Sequence, residues 1–304
     1  MTKSSVGFSL CPLAALFLLG GCAPGAAGRR DVDATFHNGD IVLVGTLSIP
    51  GGHKRPPVAV FISGDGPQDR DDNPGGASLL RVLADSLVAQ GVAVLRHDDR
   101  GAGQSTRANA APSYRALLGD TRAAIAFVRA RKELDAHRVF LVGHSEGAKT
   151  CEVLAAEDPG IAGIALLGGA TVVNVDSLLE EQVRLSPDGP APGLLPTLRR
   201  AQAGQHARDA ADLTDWMREH LEIRPSDALA RIRCPVLILQ GEDDRLVRSH
   251  HADEAAAALE RGGNRRVTLR TFPGLNHAFT PAAGGTTAGT GVARTLAEWI
   301  VAAQ

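Results

Sequence analysis

From residue 56 onward the chain repeats one local pattern: a short apolar run, then a stretch with apolar residues at helical spacing. The runs are PPVAVFIS (56–63), VAVLRHD (92–98), RVFLVG (138–143), IAGIALLGG (161–169), PVLILQG (235–241) and RVTLRTF (266–272). Most of them have no polar face, so each needs cover on both sides of a sheet. The helical stretches are ASLLRVLADSLVAQG (77–91), TRAAIAFVRARKEL (121–134), AKTCEVLAAE (148–157), HHADEAAAALERG (250–262) and ARTLAEWIVAA (293–303). Strands that alternate with helices in this way predict a mostly parallel α/β sheet of about eight strands with helices on both faces. An antiparallel hairpin opens it, because Asn38-Gly39 divides two β-prone runs in DATFHNGDIVLVGTLSIPGG (33–52).

Residues 172–230 break the rhythm. They hold no solid strand but contain SPDGPAPG and the charged helical stretch ADLTDWMREHL, which predicts a small helical cap between two strands. The rest of 33–304 reads as one domain. Hydrophobic residues make up 44% of the chain and aromatic residues 4%, so the core is aliphatic. The net charge of -2 and interspersed charges exclude a nucleic-acid partner and disorder as the starting expectation. No protein partner is evident.

The N-terminus is separate. Lys3 precedes FSLCPLAALFLLGGC, an apolar run too short for an ordinary membrane span. It reads as a secretory signal over residues 1–21. Its Leu-Gly-Gly-Cys ending resembles the lipobox of bacterial lipoproteins. That resemblance implies cleavage before Cys22, lipidation of its thiol, and a protein anchored to the cell envelope, facing the periplasm or the exterior. Residues 22–32 then form a tether. Cys11 leaves with the signal, while Cys151 and Cys234 sit in apolar settings and read as core thiols. Two cysteines make no zinc pattern.

The stretch LVGHSEGAKT (141–150) places Ser145 between Gly143 and Gly147, after a strand and before a helix. A serine hydroxyl needs a base within hydrogen-bond reach and a group that orients the base. A sharp strand-to-helix turn exposes it and aims a helix N-terminus at developing negative charge. Such a turn crowds the backbone and requires small flanking residues. A bare tight turn is the alternative.

With this Gly-x-Ser-x-Gly element the chain resembles the α/β-hydrolase superfamily over nearly everything after Asp33. The resemblance implies Ser145 as nucleophile, then an acid after a later strand, then a histidine. Asp243 and Asp244 both follow the run ending at Gly241; the Gly-x-x-Asp-x-x-Val register favours Asp244. His277 lies in PGLNHAF (273–279), after the last strand. The oxyanion donors implied are the main-chain N–H of Glu146 and one from the loop FISGDGPQDRDDN (61–73). We assign that second donor to Asp65, which follows Gly64 as the donor follows the superfamily's His-Gly pair; Ser63 stands where many members have histidine, which keeps Gly64 as competitor.

SGDGPQDRD, RHDDRGAGQS (96–105) and GHSEG together resemble a subfamily of esterase-like hydrolases and lipoproteins with a Gly-x-Gly-Pro-Gln-Asp-Arg-Asp loop. Asp69, Arg70 and Arg100 read as loop-fixing ion-pair residues, and His97 and His144 as packing or hydrogen-bonding residues. RGAGQS lacks the ending of a phosphate loop. His250 and His251 are adjacent on a helix, face different ways in that reading, and fall on the surface; neither is expected to bind metal.

The resemblance therefore implies a serine esterase acting on a small acyl ester without metal or organic cofactor. A thioesterase, lactonase or acyl-peptide hydrolase could use the same residues. A binding lipoprotein on a retired scaffold is the non-enzymatic alternative. Serine at 145 argues against dehalogenase or epoxide hydrolase chemistry, which would need aspartate there.

Diacylation at Cys22 would give firm anchoring, because each buried CH2 contributes about 0.8 kcal/mol. Cys22→Ser is therefore expected to shift the protein from the detergent phase to the aqueous phase on phase separation; partitioning like the wild type would refute the anchor.

Overall fold

The computed structural model describes residues 28–71, 78–107, 113–185, 215–282 and 290–303. The signal run, Cys22 and residues 186–214 of the expected cap lie outside them.

Eight strands form one sheet: β1 (Arg30–Asn38), β2 (Ile41–Ile49), β3 (Val58–Ile62), β4 (Ala93–His97), β5 (Val139–His144), β6 (Gly163–Leu167), β7 (Val236–Gly241) and β8 (Val267–Phe272). Their spatial order is β1-β2-β4-β3-β5-β6-β7-β8. β1 pairs antiparallel with β2, and β2 antiparallel with β4; every other pairing is parallel. Gly39, at φ +60°, supplies the left-handed residue of the opening turn.

The described helices are α1 (Leu79–Ala89), α2 (Tyr114–Arg129), α3 (Glu146–Glu157), α4 (Val175–Leu185), α5 (Asp215–Glu222), α6 (Pro225–Leu229), α7 (Ser249–Arg261) and α8 (Thr290–Ala302). Alternate side chains of the central strands enter opposite faces. Val58, Val60, Ile62, Leu141, Leu166 and Ile238 meet α2, α3 and α7 on one side. Phe61, Val94, Phe140, Val142, Leu167 and Leu239 meet α1 and α8 on the other. Solid apolar runs are thus what a sheet covered on both faces demands.

Two expectations shift. β1 begins at Arg30, so residues 30–32 are strand rather than tether: Arg30 pairs with Ile49 and extends the ladder. α2 starts at Tyr114, seven residues before the expected start, and ends at Arg129. Ser113 caps it with a hydroxyl that accepts from Ala116 N at 3.2 Å. Of the cap, α4, α5 and α6 are described, and all are helical. Cys151 and Cys234 are free thiols, Cys151 fully within the core.

Removing the Ser113 hydroxyl leaves the Ala116 N–H with the Ser113 carbonyl, 3.1 Å away, as its one acceptor. Ser113→Ala is expected to destabilise the fold by about 1 kcal/mol. Chemical denaturation checks this; an unchanged midpoint would mean that the cap contributes nothing.

Candidate active site

Strand β5 and helix α3 meet at Ser145. Its backbone has φ +54° and ψ -118°, a conformation that a residue with a Cβ adopts only under constraint, at a cost of about 1–3 kcal/mol. The surroundings impose it. A Cβ on Gly143 would lie 2.1 Å from the Gly147 carbonyl oxygen. One on Gly147 would lie 2.4 Å from the carbonyl oxygen of Ile62, and one on Gly169 2.1 Å from that of Ser145. These glycines let β3, β5, β6 and α3 close around the serine. Ser145 N–H donates to the Leu167 carbonyl at 2.9 Å and pins the turn to β6.

Two further loops, after β7 and β8, reach this turn. His277 Nε2 lies 3.0 Å from Ser145 Oγ, and its Nδ1 lies 2.8 Å from Asp244 Oδ2. The Asp244 side chain is fully buried. Its Oδ1 accepts from the backbone N–H of Leu246 at 2.8 Å and of Val247 at 2.9 Å. Gln240 Nε2 donates to Oδ2 at 3.2 Å. A carboxylate so supplied with donors is fixed in place and oriented toward the imidazole. Ser145, His277 and Asp244, far apart in sequence, therefore form one hydrogen-bonded row. Asp243 lines the cleft instead. That cleft has a volume of about 840 Å³ and includes Gly64, Asp65, His144, Ser145, Leu246 and His277.

The loop after β3 lies against the serine: a Cβ on Gly64 would stand 3.3 Å from Ser145 Cβ. Asp99 holds the loop, accepting from Ser63 Oγ at 2.6 Å and from Gln68 N–H at 3.0 Å. Arg70 binds Asp98 through both Nε and Nη2, at 2.9 and 2.7 Å. Arg100 forks onto Asp120, with both contacts at 2.6 Å. The two arginines thus fix loops through partners other than Asp69. Glu146 is the first residue of α3, so its N–H has no acceptor within the helix. His97 packs edge-on against Phe36, and His144 Nε2 meets the His277 carbonyl at 3.0 Å.

Three residues in this site are not apparent in the sequence motifs. Gln240 is a fully buried amide at the end of an apolar strand, and that misfit was its one visible signal. Trp216 and His220 on α5 descend on the Glu146 side chain: Trp216 Nε1 donates to Oε1 at 2.7 Å, and His220 Nε2 lies 3.1 Å from the same oxygen. Burial pushes the Glu146 carboxyl up to about 7 and the His220 imidazole down to about 3. Burial, then the charge of Glu146, also raises Asp65. His250 is exposed as expected, but His251 is buried, and the two rings stack with centroids 4.1 Å apart rather than facing different ways.

A carboxyl raised on folding stabilises the protein below its unfolded value of 4.5, and that contribution is lost as pH rises through about 7. Glu146→Gln removes this titration. The Tm of the variant relative to wild type is expected to rise between about pH 5 and about pH 8. A pH-independent difference in thermal melts would refute the assignment.

Solved structures share this architecture. Est1E from Butyrivibrio proteoclasticus, with ferulic acid bound, superposes at a TM-score of 0.68 with 20% identity, over 88% of this chain and 98% of that one. The Pyrococcus furiosus esterase Pf2001 gives 0.61 at 16% identity, over 91% and 89%. The α/β hydrolase domain-containing protein WAV2 of Arabidopsis thaliana is 27% identical over 174 residues, covering 57% of this chain and 51% of that protein. The chain thus spans about half the length of the curated relative it matches. A family model described as serine aminopeptidase, S33, matches residues 77–280, a span that includes Ser145, Asp244 and His277. This chain is an α/β hydrolase and belongs to that family.

Proposed function

We propose that the protein is a serine esterase that hydrolyses small carboxylic esters through an acyl-enzyme. The observation that carries this reading is the row from Ser145 Oγ through His277 to buried Asp244, set at a constrained strand-to-helix turn. Ser145 Oγ attacks the acyl carbon while His277 Nε2 takes its proton. The imidazolium that forms is stabilised by Asp244, which also holds the ring in the required tautomer. The main-chain N–H groups of Glu146 and Asp65 receive the oxyanion. His277 protonates the departing alcohol, and water, activated by the same histidine, releases the acid. These steps need only side chains and water.

The 840 Å³ cleft has room for acyl groups of short to medium length. The loop 61–73 and its partner 96–105 support placement in the esterase-like lipoprotein subfamily. Cys22, after the signal run, is the proposed lipid-bearing residue, which would put the enzyme on the cell envelope of a bacterium. A second reading, cleavage of peptide bonds, is favoured by the family description; the same attack on an amide requires His277 to protonate an amine.

The test is a chain-length series of p-nitrophenyl esters set beside aminoacyl amides and short peptides. Esters are expected to be turned over with the higher kcat/KM, and Ser145→Ala to lower it by on the order of 10⁴-fold or more. A higher kcat/KM on peptides would replace the ester reading. Undiminished turnover by Ser145→Ala would refute the mechanism.

A further inference from the structure

A second cluster of functional side chains lies away from the serine. Glu181 on α4 meets His250 and His251 at the start of α7, and their ligand atoms all lie within 4.8 Å of one another. His251 Nε2 is 2.6 Å from one carboxylate oxygen of Glu181, and His250 Nε2 is 3.8 Å from the other. The stacked imidazoles are inclined by 36°. Although neighbours on a helix, they therefore present their Nε2 atoms to one carboxylate.

The far side of His251 is also suited to a ligand role. Its Nδ1 is buried and has no hydrogen-bond partner. The Glu254 carboxylate, one turn further along α7, stands 4.0 Å from it. A carboxylate behind the remote ring nitrogen is the arrangement that orients metal-bound histidines and raises their basicity.

We propose that Glu181, His250 and His251 form a binding site for a divalent transition metal of the zinc class, fastening helix α4 to the start of α7, which follows the turn that carries Asp244. Two imidazole nitrogens and one carboxylate oxygen are a donor set for Zn²⁺, with water as fourth ligand. Calcium and magnesium prefer shells of oxygen. Zinc bonds of about 2.0–2.2 Å set tetrahedral ligand atoms roughly 3.4 Å apart. With Glu181 Oε2 as the ligand oxygen, its 2.6 Å separation from His251 Nε2 opens by under ~1 Å, and the exposed His250 ring turns to bring its Nε2 to the same ion. One carboxylate and two neutral imidazoles leave a single positive charge, which His250 exposes to solvent.

The location gives the metal a consequence. Gln182, beside Glu181, donates from Nε2 to the Leu246 carbonyl at 2.8 Å, and Leu246 N–H in turn donates to Asp244. α4 thus already touches the acid turn at one point, and a metal at Glu181 would tie α4 to the helix that follows that turn.

The test titrates the full-length protein in detergent with Zn²⁺ by calorimetry and with Co²⁺ by visible absorption, with thermal melts alongside. The site predicts about one tightly held ion, tetrahedral Co²⁺ bands and a raised Tm. Glu181→Gln and His250→Ala are each expected to weaken binding by at least about tenfold and to abolish the rise in Tm, whereas His277→Ala keeps both. Absence of stoichiometric binding in wild type, binding that survives both site variants, or binding lost in His277→Ala would each overturn the proposal.

Discussion

The backbone of Ser145 is the constraint on which the rest depends. A non-glycine residue at φ +54° persists only where its neighbours leave it no alternative. Here the neighbours are three backbone approaches, at Gly143, Gly147 and Gly169, each too close for a side chain. Apolar packing on both faces of the sheet holds those strands and α3 in place, so the strain at one residue is supported by most of the core. The result is a hydroxyl projecting from a rigid floor at the C-terminal edge of the strands, where loops from β3, β7 and β8 converge.

Those loops are held by charge and hydrogen bonding as well as by apolar packing, with Val247 and Phe279 buried beneath them. Asp244 is fixed by two backbone donors and the Gln240 amide before it meets His277. Asp99 and the Arg70–Asp98 pair hold the loop beside Ser145. From α5, Trp216 and His220 converge on the Glu146 carboxylate, whose own backbone begins α3. The residue after Ser145 thus connects the strand-to-helix turn with α5. Its raised carboxyl belongs to the same enclosure, since burial is the largest cause of the shift.

Much of this was legible in sequence because it rests on local patterns. Solid apolar runs gave the parallel strands, Asn38-Gly39 gave the hairpin, and Gly-x-Ser-x-Gly between a strand and a helix gave the turn. The superfamily resemblance supplied Asp244 and His277, and the structure brings both to Ser145. The start of α2 is harder to see, because residues 114–120 carry a weaker apolar pattern than those that follow and its signal is the single cap at Ser113. Trp216 and His220 were hidden for another reason: their importance lies in contacts with Glu146, 70 or more positions away in the chain. The burial of His251 and its stacking on His250 are not legible from helical geometry alone, which places successive Cβ atoms apart but does not fix the rings.

The central claim is that the oxygen of Ser145 is made reactive by the imidazole of His277. Mass spectrometry of peptides from the folded protein after reaction with a fluorophosphonate tests it directly. The account predicts a single adduct on the peptide containing Ser145, formed far more slowly when His277 is replaced by alanine. A folded wild-type protein that takes up no adduct, or takes it up at another residue, would contradict it.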